Sequence, residues 1–215
     1  MRCQTEEREM SHMAEGMENN RVSLMGRIVS PARYCYETYG EVFYRVDIEV
    51  ERRSDTADQI PLMLPGWMMG VKRIYVGKKV NVKGQFRSCF VDGHKKLYVF
   101  AWRLELADQF LAGDSNNKIF LDGFICKEPV YRKTPLGREI TDLMIAVDRQ
   151  YDNSDYIPAI CWGIRAKEAA QYKVGSHVQL LGRIQSRKYK KRLGEAVSET
   201  RVAYEVSVRK VEYLG

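Results

Sequence analysis

Residues 140–187, ITDLMIAVDRQYDNSDYIPAICWGIRAKEAAQYKVGSHVQLLGRIQSR, decide the fold. Apolar and polar side chains alternate over 140–149 as in a strand, and 156–162 (YIPAICW) form a second short apolar run. Residues 164–172 (IRAKEAAQY) gather good helix formers and give way at Gly175 to a further strand over 176–187. Upstream, 118–125 (KIFLDGFI) reads as a strand, and 126–139 (CKEPVYRKTPLGRE) as a loop marked by two prolines and a glycine. Downstream, a basic stretch reads as a hairpin tip before a last strand over 199–213.

This order then recurs. Shifted by 97 positions, the chain aligns Gly26 with Gly123, Tyr34 with Tyr131, Gly40 with Gly137, Ile48 with Ile145, Arg52 with Arg149, and Ile60-Pro61 with Ile157-Pro158. A shift of 98 sets Gly77 on Gly175 and Gly84 on Gly182. So long a period marks a duplicated domain rather than a solenoid. The first copy predicts strands near 21–30, 41–52, 59–65, 78–88 and 96–106, with a weaker helix over 67–76. Three strands, a short helix and two strands in about 100 residues is the order of the oligonucleotide-binding (OB) barrel. The expected fold class is all-β: two tandem five-stranded Greek-key OB barrels, each with one short helix between strands 3 and 4. The expected domains are 19–112 and 118–215, joined by a linker at 113–117. Residues 1–18, Met-rich and without the basic and apolar regions of a signal peptide, read as a disordered leader or a cloning remnant.

The composition excludes several classes. No apolar run reaches the roughly 18 residues of a membrane span. Five scattered cysteines (Cys3, Cys35, Cys89, Cys126, Cys161) contain no Cys-x-x-Cys pair, which points to reduced thiols, a cytoplasmic location and no zinc site. The three histidines are isolated, and no P-loop, nucleophile elbow or HExxH helix is present, so neither an enzyme nor a cofactor is expected. The net charge of +7 divides into +2 over 1–113 (17 basic, 15 acidic) and +5 over 114–215 (18 basic, 13 acidic). A modest positive excess concentrated in the second copy favours a polyanionic partner.

Over about 117–214 the second copy resembles the bacterial single-stranded DNA-binding protein family. The resemblance rests on NKIFLDGFI, EPVYRKTPLGRE, LMIAVDR, YIPAICWG, KVGSHVQLLGRIQSRKY and AYEVSVRKVEYL. The first copy shows the frame more faintly in NRVSLMGRI, ETYGEVFYRVDIEVER and VGKKVNVKGQFRS, so the chain looks like the tandem, two-barrel form. The resemblance implies base stacking on Tyr151, Tyr156, Trp162 and Tyr189. It also implies phosphate contacts from Arg132, Lys133, Arg138, Arg149, Arg187, Lys188, Lys190, Lys191 and Arg192. Ring faces stack on any base, so such a platform holds a strand without reading its sequence, and an RNA strand offers the same faces. The first-copy equivalents are Ser54, Gln59, Pro65 and the region Phe90–Val91, so most of that platform is gone, and the second copy is expected to dominate binding. Family members end in a flexible tail with an acidic tip, whereas this sequence ends at Tyr213-Leu214-Gly215 on the last strand; tail-mediated recruitment is not expected. The implied function is non-enzymatic, largely sequence-independent binding of single-stranded DNA in replication, recombination or repair, by a homodimer that brings four barrels together. The alternative is an adaptor, primosome-like or accessory to a mobile element, whose barrels bind proteins.

Overall fold

The computed structural model describes residues 19–52, 54, 56–72, 74–91, 94–107, 116–149, 153–192 and 198–215. The expected leader at 1–18, Tyr151 and residues 113–115 of the expected linker lie outside them.

The first half comprises β1 (Asn20–Ile28), β2 (Arg33–Thr38), β3 (Glu41–Glu51), β4 (Ala57–Pro65), α1 (Gly66–Lys72), β5 (Lys79–Val91) and β6 (His94–Leu106). The second repeats them as β7 (Asn117–Ile125), β8 (Val130–Lys133), β9 (Glu139–Asp148), β10 (Ser154–Trp162), α2 (Ile164–Ala169), β11 (His177–Arg192) and β12 (Ser198–Tyr213). In each half five strands close on themselves. The order β1-β3-β4-β6-β5 returns to β1, β7-β9-β10-β12-β11 returns to β7, and β4–β6 and β10–β12 are the parallel pairs. Closure of a short barrel brings strands close where they bend. At Gly84 and Gly182 the ladder register shifts, and a Cβ would collide with the carbonyl oxygen of Phe100 or Ser207. These are the same glycines that anchor the sequence repeat.

Three expectations are revised. The first loop of each copy holds a strand, β2 and β8, paired with β3 and β9. Every residue of both is exposed, so the alternation by which a half-buried strand is recognised does not arise. The stretch 187–192 is not a hairpin tip. It ends β11 and pairs residue for residue with 198–203 of β12, forming an arm beyond the barrel. Asn117, expected in the linker, opens β7; its side chain donates to the Ile184 carbonyl at 2.7 Å and accepts the Ile184 amide at 2.9 Å. Asn20, its equivalent, makes the same pair with Phe86 at 2.8 and 2.9 Å.

The barrels join through β1 and β7, antiparallel, with Asn20 opposite Leu121, Val22 opposite Ile119 and Leu24 opposite Asn117. Because Asn20 corresponds to Asn117 and Leu24 to Leu121, this register is symmetric about the Val22–Ile119 pair. The duplicated barrels face each other across an approximate two-fold axis inside one chain. One apolar cluster runs through both, from Leu24, Ile48 and Leu62 to Leu121, Ile145 and Val206.

Candidate nucleic-acid interface

Alternation along β10 turns Asp155, Ile157, Ala159 and Cys161 inward and leaves Tyr156, Pro158, Ile160 and Trp162 outward. The outward residues stand beside Ala146, Met144, Asp142 and Ile140 of β9. Ile140 and Ile160 are buried but belong to no part of the main core, so they form a small apolar bed beneath the half-buried Trp162. Across the parallel β10–β12 pair the same face continues through Ser207 and Glu205 of β12 and Gln185 of β11. It runs out along the arm to Arg187 and Tyr189, opposite Ala203 and Arg201. Tyr156 and Tyr189 are 44% and 39% exposed. Tyr156 and Trp162, six residues apart on one strand, are separated by about 20 Å.

The predicted cations fall into separate groups. Arg187 lies on the face of Tyr189, whereas Lys188 and Lys190 are exposed on the reverse of the arm, which Ser186 also shares. Lys191 and Arg192 continue β11, and their side chains lie outside the described residues. Arg132 pairs with Asp142 at 2.6 Å, and this hydrogen bond raises its already high pKa. Lys133 and Arg138 are exposed at the β8–β9 turn, where the Arg138 amide donates to Thr134 Oγ1 at 3.1 Å.

Arg149 is held elsewhere than on this open face. Its Nε and Nη2 bind the buried Asp155, and Nη2 also donates to the Ser88 carbonyl of the first barrel at 2.7 Å. Asp155 in turn accepts the Ser88 amide at 2.5 Å. The two-fold mate of this clamp is present: Arg52 binds the buried Asp58 and donates to the Ser186 carbonyl at 3.2 Å, and Asp58 accepts the Ser186 amide at 2.6 Å. Each barrel thus grips the arm of the other. The Arg-x5-Asp spacing recurs at 52–58 and 149–155, a signal present in the repeat that the stacking pattern overshadowed.

The equivalent face of the first barrel carries different side chains. Phe43 and Met63, the counterparts of Ile140 and Ile160, are 9% and 7% exposed, and Pro65 is buried where the second barrel has Trp162. Tyr36 stacks on Phe43 at 5.0 Å, Phe43 meets Phe100 at 6.0 Å, and the Arg87 guanidinium lies 4.3 Å from the Phe100 ring centre. Burial lowers the Arg87 pKa and pushes the Tyr98 hydroxyl upward. Tyr34, which the repeat aligns with Tyr131, and Tyr39 are also exposed here, and neither was expected at the site.

Among the described residues no group of three or more His, Cys, Asp or Glu could hold a metal ion, and no helix is long and apolar enough to cross a membrane. A closed five-stranded barrel of this strand order, doubled in one chain, is the OB fold. The model of the single-strand binding protein family matches residues 116–214, the second barrel. It is 34% identical over 96 residues to single-stranded DNA-binding protein 2 of Listeria innocua, which covers 41% of this chain and 60% of that protein. It is 31% identical over 105 residues to single-stranded DNA-binding protein A of Bacillus subtilis, covering 46% and 59%. The chain therefore spans about three fifths of the length of these relatives. The wild-type single-stranded DNA-binding protein from Thermus aquaticus shares the fold, with a TM-score of 0.71 and 18% identity over 91% of this chain and 93% of that one.

Proposed function

We propose that the chain binds single-stranded DNA, largely without regard to sequence, along the outer face of the second barrel. The contrast between the two barrels carries this reading. One fold presents the same face twice, and only the second copy carries rings there: Tyr156 and Trp162 stand outward on β10 where the first copy has Gln59 and Pro65, and Tyr189 is exposed on the arm with Arg187 on the same side. Each stacked base contributes roughly 1–3 kcal/mol without regard to its identity. Tyr151, which lies outside the described residues, belongs to the same reading. Lys133 and Arg138 at one margin, and Arg187, Lys191 and Arg192 along the arm, supply the phosphate contacts, with Lys188 and Lys190, on the reverse of the arm, contributing less. Arg132 joins them by exchanging Asp142 for a phosphate. Arg149 is left out, because its donors serve the clamp between barrels.

The first barrel, without Tyr156 and Trp162 equivalents and with its arm gripped, acts as the fixed support of the second. The roles that follow are protection and organisation of single strands in replication, recombination and repair, without catalysis, in the cytoplasm. The similarity to single-stranded DNA-binding proteins of Listeria innocua and Bacillus subtilis supports this reading over an adaptor that binds proteins alone. Titrating oligo-dT, oligo-rU and duplex DNA against the intrinsic Tyr and Trp fluorescence, at several salt concentrations, tests it. Quenching by single strands, strongest for oligo-dT and weak for duplex, is expected; equal response to duplex overturns it.

A further inference from the structure

The arm of the first barrel reaches the open face of the second. Lys95, at the start of β6, directs its ammonium onto the Tyr156 carbonyl at 2.8 Å and lies 3.5 Å from the Met144 sulfur. Met144 and Tyr156 are diagonal neighbours on the outward face, since Pro158 stands opposite Met144 and Ala146 opposite Tyr156. On the other side of Met144, the Cys126 amide donates to the Met144 carbonyl at 2.9 Å, and the Cys126 thiol reaches that oxygen at 3.3 Å. These bonds pin the loop so that the exposed Lys127 follows directly. Cations of the two barrels, Lys95 and Lys127, therefore lie near each other at the Met144 edge of the face, and no carboxylate pairs with either among the described residues. Burial and then the charge of Lys127 lower the Lys95 pKa, as expected of like charges brought together with no intervening anion. An ammonium has three donors; Lys95 uses one on the Tyr156 carbonyl and a weaker one on the Met144 sulfur, and keeps the third.

We propose that Lys95 of the first barrel and Lys127 of the second cradle one phosphate of the bound single strand beside Tyr156. The site rests on the proposed binding of single strands and adds a direct role for the first barrel. A base stacked on Tyr156 sets its own backbone phosphate near this edge of the strand. A phosphodiester there removes the repulsion between the ammoniums and accepts their free donors. The binding track is thus composite, and the face of the second barrel is complete only with the first-barrel arm in place.

The test measures oligo-dT affinity against salt for Lys95→Gln, Lys127→Gln, the double variant and the charge-keeping Lys95→Arg and Lys127→Arg. Each lost contact should reduce the magnitude of the slope of log K against log salt by about 0.7, and the pair by about 1.4. The arginine variants should keep the slope of the parent. A double variant with the parent slope overturns the cradle. So does a Lys95→Gln that lowers the melting temperature while leaving the slope intact, because Lys95 would then only bridge the barrels. Should Lys95→Gln fail to fold, Lys127→Gln carries the test alone, its side chain holding no ion pair among the described residues. Failure of the parent protein to bind oligo-dT sinks the underlying function instead and is read from the same titration.

Discussion

Single side chains here earn their roles by which way the strand turns them. Trp162 is outward on β10 above the bed of Ile140 and Ile160, so its removal should uncover that bed without opening the main core. Trp162→Ala is expected to weaken oligo-dT binding by about 1–3 kcal/mol, measured by titration, with a melting temperature close to the parent's. Arg187→Gln, on the face of Tyr189, should lower the salt slope by about 0.7, and Lys190→Gln, on the reverse of the arm, should lower it less. Equal slopes for the two variants would show that the strand wraps both sides of the arm. Arg149 behaves differently from both. Charge and position in the sequence cannot tell an arginine that meets a phosphate from one that meets a buried carboxylate, because the partner Asp155 is brought to it by the pairing of β9 with β10.

At the level of elements, the clamps and arms hold the barrels in register. Asp155 and Asp58 are buried, and each binds an arginine of its own barrel and the arm backbone of the other. Arg149→Ala should leave Asp155 without its charge partner and lower stability by about 3–5 kcal/mol in urea unfolding. Arg52→Ala should do the same to Asp58; a loss below about 1 kcal/mol in both would remove the clamps from the account of stability. Gly182→Ala should cost about 1–3 kcal/mol by the same measurement, because the Ser207 carbonyl occupies the place of the new methyl group. The ten barrel strands and both helices were legible, since burial of one face imposes alternation and closure demands glycine at fixed points. The strands β2 and β8 were not legible, because nothing in them is buried. Nor was the aromatic cluster on the face of the first barrel. Phe43, Met63 and Phe100 are ordinary strand residues until the fold brings them together under Tyr36 and Arg87.

For the whole molecule, the internal two-fold axis leaves one surface unexplained. Where β1 and β7 meet, the outward residues of the central strands form a patch shared by both barrels. The Arg21 guanidinium lies 5.0 Å from the Phe120 ring centre, Phe124 stacks on His177 at 4.6 Å, and Leu181 stands opposite Phe120. Phe124 and Leu181 are 43% and 47% exposed, unusual for large apolar side chains in the middle of a sheet. A second copy related by a closed two-fold axis would cover this patch with its own and bring four barrels together. A stable dimer needs about 800 Å² from each partner, which a sheet face several strands wide supplies. Light scattering at micromolar concentration is expected to give twice the 25.0 kDa of one chain. Leu181→Glu places a charge in the centre of that patch, on the side of β11 away from the barrel core, and should return the mass to that of one chain. Binding of oligo-dT per chain should survive the change, because Tyr156, Trp162 and Tyr189 lie on other strands or farther along the arm. A parent protein already at 25.0 kDa would overturn the four-barrel assembly and leave the patch to a different partner.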